Sequence, residues 1–190
     1  LERVTTVNPV SCNFSSLHFD SPEFPELVAA IADRHNVPPA LLELEITESA
    51  IMRNPQIVCA QVLRLKERGF MIAIDDFGSG YSSLGQLQQL MADVLKLDRS
   101  FVRRGMFGTR ERIVIGNVIH MAGELGMQVI CEGVENAKQA EMLIELGCYY
   151  AQGFYYAKPM PRDVFEGLLE KGKVLQDEKE NKRGAWQRKP

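Results

Sequence analysis

Short apolar runs alternate with amphipathic stretches about six times along the chain, and nearly every run ends on an acidic or amide residue. Repeated alternation of this kind is the mark of parallel βα units, whose strands are buried on both faces and read as apolar runs without strict alternation. It predicts strands at 9–14, 41–46, 70–74, 94–97, 128–131 and 150–155. Between them, helical spacing groups Leu27, Ala30 and Ile31 over 26–35, Val58, Val62 and Leu65 over 56–68, and Ile115, Val118, Ile119 and Ala122 over 113–125. Gly69, Gly126 and Gly147 stand where such helices stop.

A doubly wound open sheet and an eight-stranded barrel both fit this alternation. The polar strand ends favour the barrel: Asn13, Glu45 and Glu48, Asp75 and Asp76, Lys96 and Asp98, Glu132 and Glu135, and Gln152 follow successive strands. A barrel gathers strand ends into one ring, whereas an open sheet spreads them along an edge. A barrel of this type takes eight units and about 250 residues. The expectation is therefore an α/β, TIM-like barrel that is incomplete, with about six of eight units.

With 190 residues, 45% hydrophobic and 25% charged, the chain is a single domain of ordinary globular composition. The net charge of −3 argues against a dedicated binder of nucleic acid polymers. Residues 171–190 hold seven basic and three acidic residues and no apolar period, which predicts a charged, disordered tail after a folded unit over 1–170. Cys12, Cys59, Cys131 and Cys148 lack CxxC spacing and read as reduced core fillers. His18, His35 and His120 are isolated, so zinc is disfavoured. With no signal peptide or spanning segment in these residues, a cytoplasmic location without membrane contact is expected, although an anchor further upstream would be compatible.

The most informative stretch is Ile74-Asp75-Asp76-Phe77-Gly78-Ser79-Gly80-Tyr81-Ser82-Ser83-Leu84, where two adjacent carboxylates end an apolar strand and open onto a glycine-serine loop. Two like charges held together in a poorly solvated place call for a compensating cation; a turn or a helix cap is the competing reading. Asn13, Glu45, Asp75, Asp76 and Glu132 are all oxygen donors of the kind Mg2+, Mn2+ or Ca2+ takes, and two such ions would clamp a phosphodiester. Glu45, between Leu44 and Ile46, should be buried and in need of a partner, while Glu48 suits either the site or a helix start.

Lys96 lies between Leu95 and Leu97, so its ammonium should face the interior. There, burial and cations are expected to lower its pKa and fit it to orient or deprotonate a water; a structural ion pair is the alternative. The loop at 77–84 has no GKS or GxGxxG pattern and reads either as a mobile lid or as an ordinary βα connection.

Asn13-Phe14-Ser15, Glu45-Ile46-Thr47-Glu48, the Asp75–Leu84 run, Lys96-Leu97-Asp98-Arg99-Ser100-Phe101, Glu132-Gly133-Val134-Glu135 and Gln152-Gly153-Phe154 together resemble the EAL-domain family of bacterial cyclic-di-GMP phosphodiesterases, from about 10 to 159. The resemblance implies a modified barrel that cuts cyclic di-GMP to linear pGpG with two Mg2+ or Mn2+ ions. It implies metal ligation by Asn13, Glu45, Asp75, Asp76 and Glu132, with Lys96, Glu132 and Asp76 serving catalysis. Gln152 and Glu135 support the site, Glu48 anchors the loop after Asp76, and Tyr81 and Ser82 are lid residues. A homodimer is implied, with a sensory or GGDEF domain upstream in the parent protein.

The departures are specific. The Glu-Ala-Leu motif, with a further metal-binding glutamate, should precede Asn13 by two βα units and is absent; Ser79 stands where threonine is usual and Cys131 where alanine is usual. The sequence alone therefore keeps a second reading, a catalytically inactive module that binds cyclic di-GMP or a partner protein. By the first reading, this stretch alone should show weak catalysis or none.

Overall fold

The computed structural model describes residues 9–79, 89–105 and 108–171. Six parallel strands lie side by side in chain order: β1 Val10–Phe14, β2 Leu42–Thr47, β3 Met71–Phe77, β4 Val94–Leu97, β5 Gln128–Cys131 and β6 Tyr150–Ala151. A doubly wound sheet reverses its strand order at a switch point, whereas here the order never reverses, as in a singly wound barrel. The connections carry α1 Ser16–Phe19, α2 Phe24–Arg34, α3 Glu48–Arg53, α4 Pro55–Glu67, α5 Arg99–Gly105, α6 Thr109–Glu124 and α7 Ala137–Glu145, with α8 Arg162–Lys171 after the last strand. This is the incomplete TIM-like architecture that the sequence predicts.

The core lies on the helix side of the sheet. Leu44, Ile46, Ile72, Ile74, Leu95 and Leu97 project from the central strands and meet Val58, Val62 and Leu65 of α4 and Ile115, Ile119 and Ala122 of α6 in one buried cluster. Burying a side chain of this size contributes about 1.5–3 kcal/mol, so the central strands are the firmest part of the frame. Caps fix where helices begin: Thr47 Oγ1 accepts from Ala50 N at 3.3 Å, and Asn136 and Gln139 form a reciprocal capping box at α7. Asp93 ties the foot of β4 to β3 by accepting from Ile72 N at 2.8 Å while pairing with Lys66.

Three predicted features change. In α2 the buried face is Val28, Ala29 and Ala32, not Leu27, Ala30 and Ile31; Leu27 is 58% exposed and Ile31 48%. Both faces satisfy helical spacing, and Phe24 and Pro25, which precede the predicted window 26–35, select the inner one by being buried. Strand β3 runs on through Phe77, so both aspartates lie within it. Strand β6 stops at Ala151, because the chain turns at Gly153, where any Cβ would stand 2.1 Å from Val134 O. The apolar run 150–155 thus belongs mostly to a turn. The charged tail falls largely in 172–190, outside the described residues.

Candidate active site

Strand pairing places the polar residues on one face. Asn13 is level with Glu45, Glu45 with Ala73, Ala73 with Val94, Lys96 with Ile130, and Ile130 with Tyr150. Side chains two residues apart share a face. Asp75, Lys96, Glu132 and Gln152, each two beyond a residue in that series, therefore join Asn13 and Glu45 on the side away from the helices. Parallel strands end at the same level, so these groups form a rim at the carboxyl ends of the strands, where barrels carry their chemistry.

Strict alternation would send Asp76 to the opposite face from Asp75. The register shift between Ile74 and Phe77 prevents this: Ile74 pairs with Leu95 and Phe77 with Leu97, so Asp75 and Asp76 together oppose Lys96 alone. That is a β-bulge, and its second residue, Asp76, takes φ +54°, a left-handed conformation that aspartate tolerates better than most residues. Phe77 then resumes the buried face. As a result, carboxylate oxygens of Asp75, Asp76 and Glu132 lie within 4.8 Å of one another.

Lys96 sits amid this acid ring, with 6% of its side chain exposed, and its Nζ is 2.6 Å from Glu45 Oε1, 2.8 Å from Glu132 Oε1 and 3.2 Å from Asp75 Oδ1. Burial alone would push its pKa down, but bonds to Glu132 and Glu45 and the charge of Asp75 outweigh burial and hold it above the usual lysine range. The expectation of a lowered pKa is thus corrected: three carboxylates within reach keep Lys96 a cation. For Glu132 burial dominates, and with Asp75 and Glu45 it raises the pKa against the opposing pull of Lys96. Asp76 is raised by burial and then by Asp75 and Asp98.

These shifts fix the sign of a pH effect. A carboxylate whose folded pKa is raised favours the folded state below its unfolded pKa, and that contribution is lost as pH rises through the folded value. Glu132→Gln, which stays neutral, should therefore gain stability relative to the parent as pH rises from about 4.5 to 7. Urea midpoints of both proteins in chelator measure this; a gap that does not widen with pH would show that Glu132 is not strained by its neighbours.

Two further hydrogen bonds flank the acids. Gln152 Nε2 donates to Glu132 Oε1 at 2.5 Å, and Gly78 N donates to Glu48 Oε2 at 2.8 Å. Glu48, buried in the first turn of α3, thereby holds the start of the loop after Asp76. Gly78 is required there: its φ is +88°, and a Cβ would lie 2.0 Å from the Phe101 ring. Asn13 is exposed on edge strand β1, level with Glu45 but outside the carboxylate trio. Tyr81 and Ser82 lie outside the described residues.

Beside the acids opens a cavity of about 740 Å³, lined by Asp76, Glu132 and Glu135 together with Phe154, Lys158 and Phe165. Lys158 Nζ stands 5.8 Å from the centre of the Phe154 ring. Lys158 and Phe165, which follow the last predicted strand and belong to none of the motifs singled out in the sequence, also join this wall. Sequence reading missed Glu43, buried two residues below Glu45 and accepting from Ser11 Oγ at 2.7 Å; the apolar flanks of Glu43 were the available signal.

The donor set suits a hard divalent cation. Asp75 Oδ1 is buried and forms no well-aligned hydrogen bond, the Lys96 ammonium 3.2 Å away being its charged neighbour; three carboxylates converge, and neither histidine nor cysteine is among them.

A singly wound sheet of parallel βα units with carboxylates crowded at the strand ends defines the α/β, TIM-like class. Within that class the family model for the EAL domain matches residues 2–159, and the chain belongs to that family. It is 39% identical over 140 residues to the cyclic di-GMP phosphodiesterase RocR of Pseudomonas aeruginosa, covering 74% of this chain and 36% of RocR. Of solved structures, the EAL domain of Mycobacterium smegmatis DcpA superposes with a TM-score of 0.82 at 37% identity, covering 88% of this chain and 75% of that one. The PaMucR phosphodiesterase in complex with c-di-GMP gives 0.77 at 34%, covering 83% and 64%. The chain spans about a fifth of the length of other curated relatives, from Azorhizobium caulinodans and Bacillus subtilis. Among the described residues no helix is long and apolar enough to cross a membrane.

Proposed function

We propose that the protein hydrolyses cyclic di-GMP to pGpG, with this chain supplying most of the acidic rim. The observation that carries the reading is the bulge at Asp75–Asp76, which turns two adjacent carboxylates toward Glu132 beneath an open cavity. Asp75, Asp76 and Glu132, with Glu45 and Asn13 from the neighbouring strands, would hold two ions, Mg2+ or Mn2+. Bound there, the ions supply Lewis-acid charge to a phosphodiester and acidify water.

The chain's own groups supply the rest. Lys96, kept protonated by its carboxylates, presents N–H donors to the water that attacks phosphorus and balances the acids when cations are lost. This favours orientation over proton abstraction as its role. Gln152 fixes the Glu132 carboxylate, and Glu48 fixes the loop that follows Asp76. Phe154 offers a face on which a guanine can stack, while Lys158 offers charge to a phosphate or to the base. A homodimer and an upstream sensory or GGDEF domain complete the proposal.

A complete EAL domain containing this chain, incubated with cyclic di-GMP and Mn2+, should yield pGpG on ion-pair chromatography and none in excess chelator. Unchanged substrate would overturn the reading; nucleotide binding without product would identify the inactive module instead.

A further inference from the structure

Two buried thiols stand against each other behind the acidic rim. Cys131 ends β5 and Cys148 lies three residues beyond the end of α7; their Sγ atoms are 3.4 Å apart, and both residues are essentially sealed from solvent. Cys148 Sγ also reaches Tyr150 O at 3.2 Å and Val129 O at 3.6 Å. Among the described residues all four cysteines are free, and Cys12 and Cys59 are only half-buried, in β1 and α4.

We propose that Cys131 and Cys148 are a disulfide-forming pair, closed by a hydroperoxide and reopened by a thiol. The sulfurs must approach from 3.4 Å to about 2.05 Å, a shift that side-chain rotation with small backbone adjustment can supply. Access comes through β6. That strand is two residues long and is joined to β5 through Tyr150 and Ala151 only, so its local opening costs far less than global unfolding.

The chemistry balances with hydrogen peroxide as oxidant. The Cys148 thiolate attacks one peroxide oxygen, the O–O bond breaks, and the leaving hydroxide takes up the thiol proton as water, leaving a sulfenic acid. Cys131 Sγ then attacks Cys148 Sγ, the S–O bond breaks, and hydroxide leaves with the Cys131 proton as a second water. Two thiols and one peroxide give one disulfide and two waters.

The position of the pair gives the disulfide a consequence. Glu132 follows Cys131 directly, and Gln152 N donates to Cys131 O at 2.9 Å. Drawing Cys131 toward Cys148 moves the backbone that carries Glu132 and its partner Gln152, away from their alignment with Lys96 and Asp75.

The test is peroxide treatment of the full chain, alkylation under denaturing conditions and peptide mapping. A linked peptide pair containing Cys131 and Cys148, about 2 Da lighter than the sum of its two reduced peptides, with Cys12 and Cys59 alkylated, is the expected result. Dithiothreitol should reverse it. Cys131→Ala and Cys148→Ser should each abolish the link, and Cys12→Ser with Cys59→Ser should leave it intact. Four alkylated cysteines after peroxide, or a link through Cys12 or Cys59, would overturn the proposal.

On the reading of the rim as a metal centre, the linked form should also bind Mn2+ about tenfold more weakly by calorimetry, as when a ligand's support is displaced. Equal affinity in both forms would refute that consequence. Absence of Mn2+ binding in either form would contradict the metal-centre reading and leave the disulfide, established by mapping, standing.

Discussion

Asp75→Asn in a complete EAL domain containing this chain is expected to lower cyclic di-GMP turnover by roughly 10³-fold, about 4 kcal/mol of transition-state stabilisation. Asp75 is the inward residue of the bulge; its Oδ1 is buried with the Lys96 ammonium 3.2 Å away, and it sits within reach of Asp76 and Glu132. Asparagine keeps the shape and one oxygen but removes the charge that attracts a cation. The variant should fold, since it relieves repulsion among the acids, so the loss should appear in rate and metal dependence without a fall in urea midpoint. Turnover within tenfold of the parent protein would remove Asp75 from the chemistry.

Lys96→Met is expected to have the opposite profile. Lys96 is the cation that contacts Glu45, Asp75 and Glu132 together. Taking one partner out of a buried ion cluster typically costs 3–5 kcal/mol, because the remaining charges are left uncompensated. In chelator, the urea-derived stability of the variant should fall by about 3 kcal/mol. With Mn2+ present, part of that loss should return, because a bound cation stabilises the folded state in proportion to its affinity and concentration. Equal stability of variant and parent in chelator would mean that the carboxylates are neutral or hydrated, and the charge balance proposed for the rim would fail.

Much of this was legible in the sequence, for identifiable reasons. The runs at 94–97 and 128–131 coincide with their strands, because buried parallel strands are short apolar runs with charged ends. Glu45, Lys96 and Glu132 come together because each follows the two-residue period of its strand, and period plus register is enough to place them. Asp76 was not placed by that rule. Its position depends on a bulge, a backbone event governed by how β3 meets β4. Charge state was equally hard to read. The apolar neighbours of Lys96 in sequence suggest a depressed pKa, whereas its neighbours in space, Glu45 and Asp75 from two other strands and Glu132 just past a third, raise it. The inner face of α2 was misread because Leu27 and Ile31 satisfy helical spacing as well as Val28 and Ala32 do, and only packing against the core separates them.

Glu48 shows how one residue can satisfy two readings. Its place after Thr47 marks a helix start, and the helix does start there; its side chain nonetheless leaves the helix to accept from Gly78. A helix terminus beside a strand end can thus anchor a neighbouring loop without losing its local role.

The central claim is that Asp75, Asp76 and Glu132 form one metal-holding cluster under the substrate cavity. Anomalous diffraction from crystals of the protein grown with Mn2+ and cyclic di-GMP tests it most directly. Two peaks about 4 Å apart, both touching Asp75 or Asp76 and at least one touching Glu132, with the nucleotide's phosphate over them, are expected. A map with nucleotide bound but no peak within coordinating distance of these three carboxylates would contradict it.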